Sequence, residues 1–482
     1  MRSVLASLPE TGQGTKRNGN RLLIIGLVAF AIAFGGWLVY LATHMEAWTL
    51  NMIDLSVYRS GGLIVRQVTH QGGRAFYDAH DASPLYDWAR SKDGLQFTYT
   101  PFAAVAFALV SFLSTGASTV VDTIVNFLAL LAAVWFTLGG LATASKISLD
   151  RRVKIGATLL GSAVAIWTEP VFRDIYLGQI NIILMAAVLW DLCQPAGRKN
   201  KGFVTGIAAG IKLIPLIFVP YLILARKFRE AAMVVAGFVI TLVIGFAVIP
   251  KDSSKYWFGG LFFNGNRTGF TGWTGNQSLD ALVTRLAGSI SAGKPFWLLF
   301  GVIVVAIGIC AAALLDRAGH LLPAILLAEL TGDLFSPITW DHHWVWITAW
   351  MVVAGWYAVR AWQAGLRRRA YAFAGIAVAT LAVFGAVPST WYGMHMFEHV
   401  YANGTTNGQT FYWGWLWYGP NTNPFTYLKI GDKSWYYEYH WHGLQLLAGN
   451  AYVFAGLVAF AGLVLAATIP VWRARTRPSQ AS

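Results

Sequence analysis

Long apolar runs separated by short basic segments constrain this chain more than any other feature of its sequence. Hydrophobic residues make up 56% of the 482 positions and charged residues only 12%, whereas charged residues are about a quarter of an ordinary soluble domain. An apolar helix of about 20 residues spans the hydrocarbon core of a bilayer. The chain is therefore predicted to be an all-α, polytopic membrane protein.

Several of the apolar runs are too short to cross a bilayer alone, which is tolerated where a helix lines a cavity enclosed by protein. The run 101–113 is predicted to be re-entrant or half-inserted, and 203–225 is predicted to form two short helices with breaks at Pro215 and Pro220. The expected total is about 11 to 13 membrane helices, short or re-entrant ones included. The candidate runs are 22–43, 119–143, 155–171, 178–193, 203–225, 231–250, 295–315, 320–335, 343–361, 371–388 and 446–472.

The basic residues cluster in short segments between these runs, so the net charge of +14 indicates membrane topology and not nucleic-acid binding. Placing the clusters inside makes 1–21 and 473–482 cytoplasmic tails of a single membrane domain, 22–472. The extracytoplasmic side would then carry the unusual polar residues and form the site cavity. The segments predicted on that side are 44–100, 172–178, 251–294, 336–342 and 389–445.

Asp54 follows the first apolar run, in a segment where a short helix would place Tyr58 on the same face and Arg59 beside it. A carboxylate at the rim of an apolar cavity, near a positive group, can accept a proton from a sugar hydroxyl. The alternatives are a solvated loop residue or a helix cap.

Asp341, His342 and His343 lie together between two apolar runs, flanked by tryptophans. Ionisable groups at a membrane edge are expensive and indicate a functional site by default. Imidazoles can bind or neutralise a phosphate, and tryptophan rings can stack on a sugar. Adjacent histidines point in different directions on a helix, so we expect one to serve the ligand rather than both. The alternative is an anchor at the end of a span.

Amide side chains and one lysine complete the candidate site. Gln179 and Asn181 lie between two short helices, and Asn276 and Gln277 follow a glycine-rich loop. Such amides bind sugar hydroxyls, or else cap helices and join them. Lys212 lies in the middle of an apolar stretch, where it would pair with the phosphate of a lipid-linked donor or extend to the interface.

One pattern in the sequence is typical of a metal site. His395 to His399 fits H-x-x-E-H, a spacing found in zinc peptidases. Its flanks predict a short aromatic loop with no long helix to hold ligands, so no metal is expected. Motifs for nucleotide hydrolysis, dinucleotide binding and serine hydrolysis are absent from the sequence.

As a set, five motifs resemble glycosyltransferase family 87, whose members are GT-C membrane mannosyltransferases that use a polyprenyl-phosphate sugar. The resemblance covers about 50 to 370 and implies a GT-C fold with an extracytoplasmic active-site cavity. The motifs are 97–102 (FTYTPF), 178–181 (GQIN), 210–215 (GIKLIP), 276–279 (NQSL) and 336–344 (SPITWDHHW).

The resemblance implies an inverting transfer of mannose from polyprenyl-phosphate-mannose to a mannosylated glycolipid, of phosphatidylinositol mannoside or lipomannan type. The linkage formed would be α-(1→2). Asp54 would be the general base, His342 or His343 would bind donor or acceptor, and Lys212 would stabilise the charge on the leaving phosphate. No cofactor or metal is expected, and the remaining partners would be membrane lipids.

Two alternatives differ in substrate or class. An arabinofuranosyltransferase of the same fold would use decaprenyl-phosphate-arabinose, and spacing in the sequence does not distinguish the two donors. A lipid or solute transporter would also have short helices and intramembrane charges, but it predicts repeats and polar residues near the midplane. No repeat is found in the sequence, and the ionisable groups gather on one predicted face. An outer-face metallopeptidase, based on H-x-x-E-H, is the third alternative.

Overall fold

The computed structural model is predominantly helical in the part of the chain that it describes. Described are residues 13–44, 52–73, 76–77, 83–91, 94–263, 267, 269, 271–385, 399–400, 406–407 and 443–476. Within them, the only strands are β1 (His399–Val400) and β2 (Thr406–Asn407), which pair antiparallel. The all-α class is confirmed for these residues. Most of the predicted aromatic loop 389–445, with the H-x-x-E-H pattern, lies outside them.

The amino-terminal half contains short helices between long ones. Its α-helices are α1 (Gln13–His44), α2 (Ile53–His70), α3 (Pro84–Asp87), α4 (Pro101–Phe107), α5 (Thr115–Ala144), α6 (Arg151–Ile166), α7 (Glu169–Leu177), α8 (Asn181–Leu192), α9 (Phe203–Ile211), α10 (Phe218–Leu224) and α11 (Phe228–Val248). The 3₁₀ segments Val110–Phe112 and Ile214–Ile217 lie between them.

The carboxyl-terminal half begins with a short helix and then runs through long ones. Its α-helices are α12 (Pro250–Trp257), α13 (Leu279–Ala287), α14 (Ile290–Arg317), α15 (Leu321–Phe335), α16 (Ile347–Gln363), α17 (Arg367–Phe384), α18 (Leu444–Gly449) and α19 (Ala451–Thr476). The 3₁₀ segments are Leu261–Phe263 and Asp341–Trp346.

Side-chain caps begin several of these helices where the sequence offers a hydroxyl or a carboxylate. Thr100, Ser114 and Ser278 each accept a hydrogen bond from the backbone N–H three residues later. Asp150 accepts from two N–H groups at the start of α6. These bonds satisfy donors that a helix start leaves free.

Five of the described helices are long and apolar enough to cross a membrane: α1, α5, α11, α14 and α19. The pair α7 and α8 passes the same test jointly but bends by 114° between Leu177 and Asn181, giving up to six spans. These findings agree with a polytopic membrane protein, whereas the total of about 11 to 13 stays a prediction.

The segment 203–225 breaks where predicted in one place and not in the other. Helix α9 ends at Ile211, Lys212 is extended, and the chain resumes as the 3₁₀ turn around Pro215. The predicted break at Pro220 is wrong, because Pro220 lies in the first turn of α10. N–H groups in the first turn of a helix have no acceptor within that helix, so a proline is tolerated there.

Two apolar cores meet at the segments that carry the candidate site. Most residues of one core come from α1 to α8, and most residues of the other come from α8 to α11, α13 to α15 and α19. Helices α15 and α16 contribute to both cores. Ile180, Ile211 and Trp346 pack against both cores. Each lies next to, or within three residues of, a predicted site residue, so the site lies at the seam between the cores.

Candidate active site

The start of α2 is held against the bend between α7 and α8. The Met52 N–H donates to the carbonyl of Tyr176 at 3.1 Å, and Met52 itself is in the left-handed region with φ of +50°. Gly178 is also left-handed, with φ of +69°, and Leu55 packs over it. Non-glycine residues in this region are uncommon and concentrate at functional sites. The bend therefore fixes where the first turn of α2 lies.

Gly178 is required at the bend on both conformational and steric grounds. A Cβ there would lie 2.7 Å from Leu55 Cβ and 2.7 Å from Met52 Sδ. We expect Gly178→Ala to lower the free energy of unfolding by about 2 kcal/mol, measured by thermal unfolding in detergent. Gly355→Ala is the control, because no atom lies within 4 Å of its added Cβ; an equal loss in both variants would contradict the assignment.

Asp54 lies in the first turn of α2 and faces the site. Burial raises the pKa of Asp54 above its ordinary value, while His342, Gln179 and Lys212 act in the opposite direction. A carboxylate at a helix amino terminus is also favoured by the helix dipole. Asp54 therefore has the environment of a base with an elevated pKa, surrounded by polar partners.

Tyr58 lies one turn after Asp54, as predicted, and joins a tyrosine pair to Gln179. Its hydroxyl donates to Gln179 Oε1 at 2.7 Å and lies 2.9 Å from the hydroxyl of Tyr99. Tyr58 is 2% exposed. The two phenols orient the amide that lies between α2 and Lys212.

Lys212 lies where α9 ends, and three acceptors surround its ammonium. Nζ is 2.5 Å from Asn181 Oδ1, 3.2 Å from Gln179 Oε1 and 3.3 Å from His343 Nε2. An ammonium has three hydrogens, so these acceptors satisfy it completely. The structure thus brings together the lysine, both amides of the GQIN motif and one imidazole.

Asn181 links this group to the histidine segment. Its amide nitrogen donates to Asp174 Oδ1 at 2.6 Å and to the carbonyl of His342 at 3.2 Å. The Asp174 carboxylate also accepts from the N–H of Ile182 at 3.4 Å. One side chain at the start of α8 thereby fixes the position of the Asp341–Trp346 turn.

Asp341 pairs with Arg173 and with its neighbour His342. Asp341 Oδ2 is 2.5 Å from Arg173 Nε, and Oδ1 lies 3.0 Å from His342 Nδ1 and 2.8 Å from the His342 N–H. Burial opposes the charge, but Arg173 and His342 hold the pKa of Asp341 below its ordinary value. Burial also lowers the pKa of His342. The pair is therefore a carboxylate beside a neutral imidazole.

The Arg173 to Asp341 pair is buried, with 7% and 1% of the two residues exposed. Removing one partner of a buried pair leaves the other charge uncompensated, so Arg173→Met is expected to lower stability by about 3–5 kcal/mol. Adding Asp341→Asn should recover part of the loss in thermal unfolding. The exposed pair of Lys255 and Asp87 supplies the control, since Lys255→Met should cost about 1 kcal/mol or less. Equal losses in both pairs would refute this explanation.

Asn276 and Gln277 hold the histidine segment from behind. Asn276 Oδ1 accepts from the Thr339 N–H at 2.9 Å, and its amide nitrogen donates to the carbonyls of Thr271 and Pro337. Gln277 donates to the carbonyls of Thr274 and Gly449. Both side chains are fully buried. The structure places these two predicted binding residues in a supporting position.

Arg59 points away from the cluster. Its guanidinium donates to the carbonyl of Leu113 at 2.6 Å and to Ser118 Oγ at 3.1 Å. It thus joins α2 to the turn before α5 and to α5 itself. Arg59 was predicted because it follows Tyr58 in the sequence, but successive residues on a helix project about 100° apart. Arg59 therefore does not share the face of Asp54 and Tyr58.

A small crevice lies beside Lys212 and His343. Its walls are mostly apolar, from α8 and the segment 214–218, with the carboxyl groups of Glu329 and Asp333 on α15 at one side. The site therefore continues into a largely hydrophobic space. Among the described residues, no group of three or more His, Cys, Asp or Glu has a geometry that could hold a metal ion.

Arg173, Asp174 and Tyr99 belong to the cluster although they were not among the predicted site residues. Arg173 and Asp174 interrupt an apolar region, and Tyr99 lies in the FTYTPF motif. Charge within an apolar stretch was the signal that could have found the first two. Tyr99 could be found only through its contact with Tyr58.

Comparison with known proteins agrees with the motifs. The model of glycosyltransferase family 87 matches residues 97–337, half of the chain. A polyprenol-phosphate-mannose-dependent alpha-(1-2)-phosphatidylinositol pentamannoside mannosyltransferase of Mycobacterium tuberculosis is 33% identical over 310 residues, which are 62% of this chain and 67% of the relative. The chain belongs to glycosyltransferase family 87. The resemblance seen in its motifs is confirmed.

Further relatives of this family 87 chain have related names. A polyprenol-phosphate-mannose-dependent alpha-(1-2)-phosphatidylinositol mannoside mannosyltransferase of Mycobacterium tuberculosis is 29% identical over 395 residues, 80% of this chain and 84% of the relative. Its namesake in Mycolicibacterium smegmatis is 31% identical over 356 residues, 70% and 76% of the two chains. No solved structure matches the chain significantly. The family match ends just before Asp341, so the roles of Asp54 and the histidines rest on geometry.

Proposed function

We propose that this family 87 chain transfers mannose from polyprenyl-phosphate-mannose to a phosphatidylinositol mannoside or related lipoglycan, forming an α-(1→2) linkage. The relatives' names supply the donor, the acceptor class and the linkage. The observation that carries the proposal is the convergence of a carboxylate, an ammonium and two imidazoles at one seam, although they come from three separate segments.

Asp54 would act as the general base. It takes the proton from the acceptor 2-hydroxyl while that oxygen forms the new bond to C1 of mannose. The bond between C1 and the phosphate oxygen breaks on the opposite face, so the β-linked donor gives an α product. Burial, which raises the pKa of Asp54, makes its carboxylate a stronger base than an exposed aspartate.

Lys212 would stabilise the departing polyprenyl phosphate. Its ammonium already has three acceptors, so the phosphate replaces at least one of them. A preorganised positive charge in a water-poor site stabilises charge that develops in the transition state. The apolar crevice beside Lys212 would accept the first isoprene units of the donor.

The location follows the positive-inside pattern of the sequence. We place the site on the extracytoplasmic side of the cell membrane, with both termini in the cytoplasm and 22–472 as one GT-C domain. The proximity of α2, the α7–α8 bend and the Asp341–Trp346 turn supports this placement, because all three segments were assigned to that side.

A radiolabel transfer assay tests the proposed function. Membranes containing the full chain receive either polyprenyl-phosphate-mannose or decaprenyl-phosphate-arabinose with a phosphatidylinositol mannoside acceptor. We expect mannose transfer with release of polyprenyl phosphate, and a product that an α-(1→2)-mannosidase cleaves. Transfer of arabinose alone would favour the furanosyltransferase alternative. Movement of intact donor across the membrane without transfer would favour a transporter.

No metal ion is expected to be required for turnover. Phosphate is a good leaving group, and the Lys212 ammonium supplies the positive charge that a divalent cation provides in other transferases. Activity should therefore stay within about twofold after treatment with EDTA, measured as initial rate of mannose transfer. Loss of activity that only a divalent metal restores would contradict this and direct attention to the H-x-x-E-H pattern.

A further inference from the structure

The two adjacent histidines have opposite hydrogen-bonding environments. Asp341 Oδ1 faces His342 Nδ1 at 3.0 Å, while Lys212 Nζ faces His343 Nε2 at 3.3 Å. The two rings are nearly perpendicular, at 80°, with centroids 5.0 Å apart. Each partner therefore constrains a different nitrogen of its ring.

Asp341 determines which nitrogen of His342 carries the hydrogen. The ion pair with Arg173 keeps the carboxylate charged, and a carboxylate can only accept, so His342 Nδ1 must donate. In the neutral ring Nε2 is then a bare acceptor. This atom is buried and has no partner in the described part of the chain, and His342 is only 5% exposed.

Lys212 imposes the reverse arrangement on His343. An ammonium can only donate, so His343 Nε2 accepts and Nδ1 carries the hydrogen. Nδ1 is buried and has no hydrogen-bond partner among the described residues. His342 thus offers an unused acceptor, and His343 offers an unused donor next to a positive charge.

The surroundings of each free nitrogen indicate its ligand. Asp54 and His342 belong to one connected cluster, because Gln179 and Asn181 both accept from Lys212 and Asn181 donates to the carbonyl of His342. The bare Nε2 therefore adds a second acceptor to the cluster that holds the Asp54 carboxylate. Two acceptors suit a hydroxyl-bearing group and repel a phosphate oxygen. A ring N–H beside an ammonium suits an anion.

We infer that His342 accepts a hydrogen bond from a sugar hydroxyl beside Asp54, and that His343 donates from Nδ1 to the phosphate of the lipid-linked donor. Asp341 and Arg173 are then positioning residues that fix the tautomer of His342. The inference rests on the proposed function. It assigns the sugar hydroxyl to the His342 ring and the donor phosphate to the His343 ring.

Two variants each remove the free nitrogen of one histidine ring and keep the hydrogen bond made by the ring's other nitrogen. In His342→Asn the amide can still donate to Asp341 from the Nδ1 position, but the Nε2 acceptor is lost. In His343→Gln the amide oxygen can still accept from Lys212 at the Nε2 position, but the Nδ1 donor is lost. His70→Gln, at the exposed end of α2, is the control.

Binding of polyprenyl phosphate, which carries the phosphate but no sugar, separates the two roles. We expect His343→Gln to weaken its binding to the purified full chain by about tenfold, measured by calorimetry. His342→Asn should bind it within about twofold of wild type, yet transfer mannose about a hundredfold more slowly. Equal weakening in both variants, or in neither, would overturn the inference. A wild-type chain that neither binds polyprenyl phosphate nor transfers mannose would overturn the proposed function itself.

Asp341→Asn provides a second variant should His342→Asn fail to fold, because its amide oxygen can still accept from Arg173. Thermal unfolding in detergent checks that this variant is folded before its activity is compared. Its amide can donate to Nδ1, which moves the ring hydrogen to Nε2 and removes the acceptor. We expect a fall in kcat of about a hundredfold or more with unchanged affinity for polyprenyl phosphate. A loss of phosphate affinity equal to the loss of kcat would contradict the positioning role.

Discussion

Replacing Asp54 with asparagine is expected to lower the rate of mannose transfer on the order of a thousandfold, while the donor still binds. The amide has nearly the same shape and can keep a contact with Gln179, but it cannot take a proton from the acceptor hydroxyl. General base catalysis contributes about 10²–10⁴-fold in rate, which gives the expected size. The measurement is kcat for radiolabelled mannose transfer, alongside calorimetric binding of polyprenyl phosphate.

Asp87→Asn is the control for this experiment, because Asp87 is an exposed carboxylate paired with Lys255 far along the chain. It should keep wild-type turnover. In the wild-type enzyme the base must be ionised, so kcat/KM should rise with pH through the pKa of Asp54. Since burial raises that pKa, the rise should occur above the value of about 3.9 for a free aspartate. Near wild-type turnover by Asp54→Asn would reject the base assignment.

The sequence predicted the all-helical class of the fold because that class depends on local signals. Apolar length indicates membrane helices, and a charge inside an apolar run indicates function. Asp54, Lys212 and the pair of histidines were proposed as site residues in this way, and the structure brings them into one cluster. The break near Lys212 was also predictable, since Pro215 has no N–H to donate to the carbonyl of Ile211, where α9 ends.

Contacts between distant segments were not predictable from these signals. Arg173 reaches Asp341, and Asn181 reaches the carbonyl of His342, across more than 150 residues of chain. Arg59 was proposed because it follows Tyr58 in sequence, but its guanidinium bonds the carbonyl of Leu113 and the hydroxyl of Ser118. Asn276 was assigned by residue type, but an amide is equally suited to bonding backbone carbonyls, as it does here. Only packing decides between these uses.

The number of membrane helices could not be predicted from the sequence for a related reason. Helices α7 and α8 together have the composition of one span, but Gly178 and the charged groups before it allow a bend of 114°. The bend is what brings Gln179 and Asn181 to Lys212. The polar site thus requires a break within an apolar segment. The same break divides one span into two short helices, which the apolar length of the sequence does not show.

Replacing Lys212 with glutamine is expected to lower kcat/KM by about a hundredfold or more. The amide is neutral, so it cannot stabilise the charge that develops on the leaving phosphate, although it can still bond Asn181. Because the phosphate is charged in the ground state as well, affinity for polyprenyl phosphate should fall too. Lys199→Gln, an exposed lysine in the loop before α9, should leave both quantities unchanged. Wild-type affinity and turnover in Lys212→Gln would show that the phosphate lies elsewhere, whereas a loss of turnover alone would place Lys212 beside the sugar rather than the phosphate.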